Sequence, residues 1–401
     1  IARLDAYWLA RNVIIEQKIL PKGIFWPSED IKMRLFDNSK YTLPAPDAAL
    51  SAKIRKMLGP DANGYGIALL DYTDPQHPIY AAVNPNKEQN PGSVGKIAVM
   101  LAWFQALADV YPDDIDARIR LLRDTPITAD AFVENDYHVV DSHVVPIWKQ
   151  GDPKVLRRPI EIGEVANVWT YLDWMVSASA NAAASMMMKN LILLTHFGKE
   201  YPPSQAAADE FFAKTSKSQL ARMFTNTMQS ALRKNDLDPG KFRQGKFFTR
   251  EGKRRVPVTT NSVATARELL RFIMLMEEGR LVDPWSSLEM KKLLYLTDAR
   301  IRYADSPALV DAAVYYKSGS LYGCKPEPGF ECGKYRGNRI NYLNSVAIVE
   351  TDDNNGDLRY AVVVLSNVLR KDSSEQHQAL AAKIDKLIRS LHPSATSAAS
   401  P

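Results

Sequence analysis

The chain contains little that would tie it to a membrane or to nucleic acid. No stretch approaches the eighteen or so uninterrupted apolar residues of a membrane span, and the longest candidate, residues 97–108, includes Gln105 and is typical of a buried helix. The formal net charge is only +5, from 51 basic and 46 acidic residues, which argues only weakly for a polyanionic partner. We therefore expect no transmembrane segment and no nucleic-acid binding.

What is present suits a large soluble domain. The 401 residues are 46% hydrophobic and 24% charged, and this length allows one large domain or two lobes with ample material for a core. There are only two cysteines, Cys324 and Cys332, in the segment CKPEPGFEC. A short loop rich in proline and glycine would bring them together as a disulfide at a hairpin tip, and two unpaired thiols are the alternative.

A disulfide would indicate an oxidising compartment. The numbering also opens at Ile1 rather than Met, which fits an exported precursor that has lost its leader and fits a trimmed chain equally well. We expect the protein to be periplasmic or secreted.

The order of apolar patterns predicts the fold class. A helix begins near Asp47, and strands near both chain ends can join one antiparallel sheet only if the helical block between them is an insertion. We expect an α/β fold of the α+β type, with an antiparallel sheet flanked by helices from both chain ends and an inserted all-helical lobe. The predicted strands are residues 65–72, 78–84, 312–319, 341–350 and 358–367, and a last amphipathic helix follows at 375–391.

The predicted domain boundaries follow from this order. Four prolines and no long helical period indicate an N-terminal extension at residues 1–47. The main domain, residues 48–392, would divide into an α/β lobe and a helical lobe with a cleft between them, and a disordered tail would follow at 393–401. The α/β lobe comprises 48–92 and 296–392, and the helical lobe comprises 93–295.

A serine and a lysine lie three residues apart where a turn enters an apolar helix. They are Ser93 and Lys96 in the segment NPGSVGKIAV, and Asn90-Pro91 is a helix-start signal. In the first turn of a helix the two side chains share a face, so the amine can approach the hydroxyl and serve as its base. Two polar residues at the head of a core helix are the alternative, because such a pair is expected by chance once or twice in a chain of this length.

Two further segments give this pair a context. SAN (179–181) lies in the helical block, and KSGS (317–320) ends the first of the late strands. Ser-x-x-Lys, Ser-x-Asn and Lys-[Ser/Thr]-Gly in this order form the motif set of the penicillin-binding proteins and class A β-lactamases. The sequence resembles that superfamily over about residues 48–391, with Ala180 where the family has an aspartate.

The resemblance implies a role for each matching residue. Ser93 would be the acylated nucleophile, Lys96 its general base, and Ser179 the donor of a proton to the leaving nitrogen. Asn181 would hold Lys96 and the amide side chain of the substrate. Lys317 would supply a positive charge that lowers the pKa of Lys96 and attracts the substrate carboxylate. Ser318, Gly319 and Ser320 would bind the substrate, with Ser318 hydrogen-bonded to its carboxylate, and the backbone N–H groups of Ser93 and Ser320 would form the oxyanion hole.

The sequence departs from the family pattern in two places. Class A β-lactamases carry a glutamate in E-x-x-L-N that activates the deacylating water, and no such string lies between Asn181 and Thr259. Glu210 and Glu251 are the acidic residues nearest to this role, and surface charge is their simpler interpretation. The strand after KSGS also has no arginine beside Ser345. The nearest arginines, Arg336 and Arg339, fall in the preceding turn.

A cluster of acidic and imidazole side chains offers a different hypothesis. Asp136, His138, Asp141 and His143 have spacings that could hold a divalent metal, but hydrogen-bonded loop residues are the preferred interpretation. We therefore predict no metal and no cofactor. In the resembling family the segment at about 125–159 borders the cleft, so its length would influence substrate choice.

The predicted function is that of a serine hydrolase or acyltransferase that cleaves amide bonds through a Ser93 acyl-enzyme. The resemblance favours a penicillin-binding-protein-like peptidase or amidase that reacts with β-lactams or D-alanyl type substrates carrying a carboxylate. One alternative is a true class A-like β-lactamase. Another is a sensor that binds β-lactam or peptidoglycan without turnover. We expect a monomer.

Overall fold

The computed structural model describes residues 1–17, 20–38, 42–134, 143–352, 354 and 356–393. The helices are α1 (Ala2–Arg11), α2 (Ala48–Leu58), α3 (Lys96–Val110), α4 (Ile115–Asp124), α5 (Val168–Val176), α6 (Asn181–Phe197), α7 (Gln205–Lys214), α8 (Lys217–Lys234), α9 (Arg250–Arg255), α10 (Ala266–Glu277), α11 (Pro284–Leu294) and α12 (Ser373–Leu391). The strands are β1 (Tyr65–Asp71), β2 (Ile79–Val83), β3 (Pro126–Thr128), β4 (Val145–Ile147), β5 (Leu156–Arg158), β6 (Val165–Asn167), β7 (Phe242–Arg243), β8 (Val263–Ala264), β9 (Ala313–Gly323), β10 (Ile340–Glu350) and β11 (Arg359–Asn367).

The chain folds into two compact units. The helical unit comprises Ile1–Leu20, Gly95–Val263 and Leu281–Leu293. The sheet unit comprises Pro21–Val94, Ala264–Arg280 and Leu294–Pro401.

The sheet unit is built on five antiparallel strands in the order β2-β1-β11-β10-β9. The strands come from both parts of the chain, as the sequence predicts, so the predicted fold class is confirmed. In the register of β9 with β10, Ser318 lies opposite Ser345 and Lys317 opposite Val346. β9 therefore carries the KSGS motif along one edge of the sheet.

Both faces of this sheet are covered, which explains its continuous apolar strands. Ile67, Leu69 and Val364 belong to a core shared with α2 and α12. The alternate residues along the same strands are buried as well, and α10 contacts β1 and β11. The side chain of Asp47 caps α2 by accepting a hydrogen bond from Leu50 N–H at 2.7 Å, where the sequence predicts a helix start.

The helical unit is organised around α3, which contacts α5, α6 and α8. Its residues 96–104 are all buried, and Trp103 Nε1 donates to the carbonyl of Met187 at 2.9 Å. α1 belongs to this unit because Arg3 and Asp173, both buried, form a salt bridge at 3.0 Å. Within the described ranges, Gly92–Val110 has the length and apolar composition of a membrane span, and 72% of it is buried inside the protein.

Three sequence predictions about organisation differ from the structure. The extension at 1–47 contains the helix α1, and it is divided between the two units at Leu20. α10 was assigned to the helical lobe, but it belongs to the sheet unit because its apolar face packs on β1 and β11. The helical block also contains short strands, including the antiparallel pairs β3–β6 and β4–β5. Of the predicted disordered tail, only Pro393 lies among the described residues.

Candidate active site

Ser93 lies in a single 3₁₀ turn, Gly92–Gly95, that runs directly into α3. The sequence predicted the α-helix itself to begin at Asn90-Pro91, whereas α3 begins at Lys96. Gly92 has φ +54°, which favours glycine, and its N–H donates to Asn90 Oδ1 at 2.9 Å. This backbone bend holds the turn ahead of the helix, so Ser93 does not occupy a regular first turn.

The KSGS strand packs closely against the Ser93 turn within the sheet unit. A Cβ atom on Gly319 would overlap the backbone of Pro91, Ser93 and Val94, so only glycine fits at this position. Asn344 Nδ2 fixes the contact by donating to the carbonyls of Asn90 at 3.1 Å and Gly319 at 3.2 Å. The close backbone approach explains why the motif needs glycine between two serines.

The other side chains of KSGS form a positively charged cluster with an arginine that sequence analysis missed. Arg302 donates to Ser318 Oγ at 2.9 Å, to Ser320 Oγ at 3.0 Å and to the Tyr335 hydroxyl at 2.9 Å. Its guanidinium also lies over the Tyr335 ring, 4.7 Å from the centroid, and the residue is only 8% exposed. Lys317, also buried, donates through Nζ to the carbonyl of Ser318 at 3.0 Å.

No arginine lies beside Ser345 on β10, and Arg302 comes from a different element. It begins the 3₁₀ turn Arg302–Asp305 ahead of β9 and has φ +60°. That conformation is strained for a residue with a side chain. Ser345 instead faces a buried hydrogen-bond chain, with Tyr316 Oη at 3.1 Å and His377 Nδ1 at 3.0 Å from its Oγ. The only sequence signal for Arg302 is its nearness to β9 in the segment DARIRYAD, which does not reveal the positive φ.

Lys96 is fully buried in the helical unit and bound by the SAN motif. Its Nζ donates to Asn181 Oδ1 at 2.8 Å, to the Ser179 carbonyl at 2.6 Å and to Ser179 Oγ at 3.5 Å. Ser179 lies in the connection between α5 and α6 with φ +61°, and Asn181 is the first residue of α6. Ala180, where the family has an aspartate, is fully buried at the N-cap of α6.

The family that this geometry indicates is also found by comparison with known proteins. A model of the beta-lactamase enzyme family matches residues 49–390, most of the chain. The chain belongs to this family. It is accordingly a serine hydrolase that acts on amide bonds, as the motif set implies.

Solved structures agree with the fold of this beta-lactamase family member. The structure of PBP-A has a TM-score of 0.52 at 12% identity and covers 87% of this chain and 100% of PBP-A. A mutant of PBP-A, in an acyl-enzyme complex with penicillin-G, has a TM-score of 0.51 at 12% identity with the same coverage. The TLA-3 extended-spectrum beta-lactamase has a TM-score of 0.51 at 12% identity and covers 86% and 98% of the two chains. No curated protein matches the chain.

The two acidic residues considered for deacylation are both engaged elsewhere in this family member. Glu251 is bound by Arg254 and Arg255, and its hydrogen bond with Arg254 lowers the pKa of its carboxyl to about 2. Glu210 lies exposed on α7 and pairs with Lys214. The group that lies over Lys96 is the ring of Phe248, whose centroid is 4.5 Å from Nζ.

Three of the four residues that were considered as possible metal ligands lie outside the residues that the structure describes. They are Asp136, His138 and Asp141. His143 Nδ1 accepts a hydrogen bond from the Asn181 backbone N–H at 3.3 Å. No group of three or more histidine, cysteine, aspartate or glutamate side chains in the described ranges could hold a metal ion.

Proposed function

We propose that the protein is a penicillin-binding-protein-like amidase or peptidase that works through a Ser93 acyl-enzyme. The observation that carries the proposal is the burial of Lys96, with its Nζ bound by Asn181 and Ser179. Removal from water favours the neutral form of an amine, and a neutral amine can accept a proton from a serine hydroxyl. An ordinary surface lysine would have neither the burial nor the partners.

The acylation step follows from these roles. Ser93 Oγ attacks the carbonyl carbon while its proton passes to Lys96 Nζ, and the carbonyl oxygen becomes an oxyanion. The backbone N–H groups of Ser93 and Ser320 stabilise that oxyanion. The C–N bond then breaks as Ser179 Oγ delivers a proton to the leaving nitrogen and is reprotonated from Lys96, leaving an ester on Ser93.

The substrate we propose is a β-lactam or a D-alanyl type peptide with a free carboxylate. Arg302, Ser318 and Ser320 form a compact set of donors of the kind that binds carboxylates. Lys317 adds a second buried positive charge beside them. The mutant of PBP-A in complex with penicillin-G, whose fold resembles this one, adds support because that protein forms an acyl-enzyme with a β-lactam.

A true class A-like β-lactamase is the second candidate, and the ring of Phe248 over Lys96 argues against it. Hydrolysis of the ester needs a base aimed at water, and a phenyl ring cannot serve as one. A sensor that is acylated without turnover would share this feature. Release of product from a D-alanyl peptide separates an enzyme from a sensor.

We also propose that the protein works outside the cytoplasm. The support is the disulfide between Cys324 and Cys332 in the connection between β9 and β10, with Cα atoms 6.0 Å apart. Structural disulfides persist in oxidising compartments such as the periplasm.

Intact-protein mass spectrometry after exposure to a labelled penicillin tests the acyl-enzyme. We expect one adduct on the wild-type protein, none on Ser93→Ala, and labelling slower by several orders of magnitude on Lys96→Ala. Ser218→Ala serves as a matched control, because this serine is exposed on α8, and it should label like the wild-type protein. Normal labelling of Ser93→Ala would overturn the proposal.

A further inference from the structure

The buried guanidinium of Arg302 is held by hydroxyl groups alone. It donates to Ser318, Ser320 and Tyr335, and no aspartate or glutamate of the described residues forms a salt bridge with it. Its Nε is buried as well, and it has no hydrogen-bond partner in the part of the chain that the structure describes. Because buried charges in proteins are ordinarily paired, this cation is suited to receive an anion from outside the chain.

Tyr335 is the one hydroxyl partner of Arg302 that lies outside the KSGS motif, and it contacts the guanidinium in two ways. Its hydroxyl accepts a hydrogen bond from Arg302 at 2.9 Å, and its ring centroid lies 4.7 Å from the guanidinium carbon. The first contact is directional, and the second is a cation–π interaction that is stronger in a buried setting. Ser318 and Ser320 are expected to bind the substrate, whereas Tyr335 binds only the arginine.

The backbones of both partners have an unusual conformation. Arg302 has φ +60° and Tyr335 has φ +65°. Glycine adopts this left-handed conformation without steric cost, whereas a residue with a side chain is strained there. Strained residues persist only where the surrounding structure holds them, and they concentrate at functional sites. Two such residues in direct contact therefore point to a function for the contact itself.

The connection between β9 and β10 holds Tyr335 in this conformation. Tyr335 lies in the tight turn Gly333–Arg336, whose two ends are joined by a backbone hydrogen bond at 2.9 Å. The disulfide between Cys324 and Cys332 ties the same connection just before this turn. The Tyr335 carbonyl accepts hydrogen bonds from the N–H of Ser373 at 3.0 Å and from its hydroxyl at 3.2 Å, at the start of α12. The phenol is thus presented to Arg302 by an ordered backbone.

We propose that Tyr335 is a positioning residue that makes the site selective for substrates with a carboxylate, because it holds the Arg302 guanidinium in the orientation that faces Ser318 and Ser320. This inference rests on the proposed function, which requires a carboxylate on the acyl donor. A guanidinium is planar and binds a carboxylate best when its donors are correctly oriented. Without the phenol, Arg302 keeps its charge but loses part of this preorganisation, so it binds the carboxylate more weakly.

The competing interpretation is that the contact between Arg302 and Tyr335 only stabilises the connection between β9 and β10. In that case the loss of the contact would disturb the neighbouring KSGS strand and slow the reaction of every substrate alike. A positioning role instead predicts a loss that is confined to substrates with a carboxylate. The two interpretations therefore differ in one measurable ratio, the rate of acylation by an acid relative to that by its neutral ester.

Two chromogenic cephalosporins measure this ratio, one with its free carboxylate and one in which that group is a methyl ester. We expect Tyr335→Phe to lower the second-order rate constant of acylation by the acid about fivefold or more, and by the ester about twofold or less. Tyr335→Leu, which also loses the ring, should lower the rate with the acid about threefold further. The matched control is Tyr322→Phe, an exposed tyrosine on β9, which should leave both rates unchanged. Equal slowing of both probes by Tyr335→Phe, or an unchanged rate with the acid, would overturn the proposal.

A double-mutant cycle tests whether Tyr335 acts through Arg302. In Arg302→Ala protein the phenol has no guanidinium to hold, so adding Tyr335→Phe should change acylation by the acid about twofold or less. The same fivefold loss in both backgrounds would show that Tyr335 acts by another route, and the positioning role would be wrong.

Equilibrium binding of the two cephalosporins to Ser93→Ala protein gives a readout that does not depend on acylation. We expect calorimetry to show tighter binding of the acid than of the ester, and Tyr335→Phe to reduce this preference about fivefold. If the wild-type protein is not acylated but this pattern is found, the proposed acyl-enzyme fails and the role of Tyr335 stands. If Ser93→Ala protein does not prefer the acid, the role of Tyr335 is overturned whatever the outcome for acylation.

Discussion

Arg302 and Ser318 are hydrogen-bonded at 2.9 Å although they come from different elements, a 3₁₀ turn and strand β9. The same guanidinium reaches Ser320 and Tyr335, so one buried cation organises the hydroxyl groups of the KSGS motif. A buried cation with a hydroxyl on each side is suited to bind a carboxylate. This arginine precedes β9 in the chain, whereas the strand after KSGS carries none beside Ser345.

Replacing Arg302 should weaken recognition of substrates that carry a carboxylate. A hydrogen bond to a charged group contributes about 1.5–3 kcal/mol, so we expect Arg302→Ala to lower the second-order rate constant of acylation by roughly ten- to hundredfold. Arg302→Lys should recover part of the loss, because it restores charge without the planar fork. Stopped-flow acylation by a chromogenic cephalosporin measures the effect. Arg336→Ala is the control, since Arg336 is exposed nearby, and an equal loss there would contradict a specific role for Arg302.

The disulfide between Cys324 and Cys332 should stabilise the connection between β9 and β10. Closing a loop with a sequence separation of 8 residues restricts the unfolded chain by about 2–3 kcal/mol on the loop-entropy model. We therefore expect Cys324→Ser/Cys332→Ser to lower the free energy of unfolding by up to that amount. Urea unfolding measures the change, and thiol counting under denaturing, non-reducing conditions should find no free thiol in the parent protein. Two free thiols would show that the bond does not form.

Much of the fold could be predicted from the sequence because the signals are local. Continuous apolar runs with turn residues at their ends predict the bounds of β1, β2, β10 and β11 to within one or two residues. Such runs indicate strands because a strand covered on both faces needs apolar side chains along its length. Asp47 and Gly59 likewise marked the ends of α2. α1 was not predicted because the prolines that follow it suggest an extended segment, whereas the helix buries Leu4 and Tyr7 and forms a salt bridge between Arg3 and the distant Asp173.

Only the residues of the candidate site that belong to a sequence motif could be predicted from the sequence. The packing of Gly319 against Ser93, and the binding of Lys96 by Asn181, agree with the motif spacing. Arg302 and Phe248 reach their positions through tertiary structure, and neither belongs to a local pattern. Arg302 depends on a positive φ, which sequence composition does not reveal for a residue other than glycine.

His377 should make the stability of the protein depend on pH. It is fully buried between Ser345 and Ser366, with its ring nitrogens 3.0 and 2.8 Å from their hydroxyl oxygens, and burial lowers the pKa of its imidazole to about 3. In the unfolded chain the pKa of this imidazole is about 6.5. As pH falls below that value, the imidazole becomes protonated in the unfolded chain but stays neutral in the folded protein. Stability should therefore be lost as pH falls from about 6.5 toward 3, by at most about 1.4 kcal/mol per pH unit from this residue.

The comparison of wild-type protein with His377→Gln isolates this contribution. Urea unfolding between about pH 6.5 and 4.5 covers this range, and the stability that Glu251 begins to lose near its unfolded pKa of 4.5 is lost equally by both proteins and cancels in the comparison. We expect a steeper loss of stability in the wild-type protein than in the variant, although the variant is less stable at neutral pH because it disturbs packing. Parallel curves would show that His377 does not remain neutral in the folded state.

The ring of Phe248 over Lys96 should determine how long the acyl-enzyme lasts. A carboxylate at this position would lie beside the Lys96 amine and could activate the water that hydrolyses the ester. A general base typically contributes about a hundred- to ten-thousandfold to the step that it serves. We therefore expect β-lactam adducts of the wild-type protein to persist for minutes or longer, and Phe248→Glu to raise the rate of deacylation about a hundredfold or more.

Phe248→Gln is the matched control, because it has the size of glutamate and loses the same aromatic contact but cannot act as a base. Stopped-flow hydrolysis of a chromogenic cephalosporin separates the first turnover from the later ones. The wild-type protein and Phe248→Gln should each show one burst of hydrolysis followed by almost no further turnover, whereas Phe248→Glu should continue to turn over. If the two variants deacylate equally fast, relief of packing rather than base catalysis is responsible.

If the wild-type protein itself sustains tens of turnovers per second, a deacylating base is already present. Glu251→Gln and Glu210→Gln would then show whether that base is either glutamate, although in the structure Glu251 is paired with Arg254 and Glu210 with Lys214.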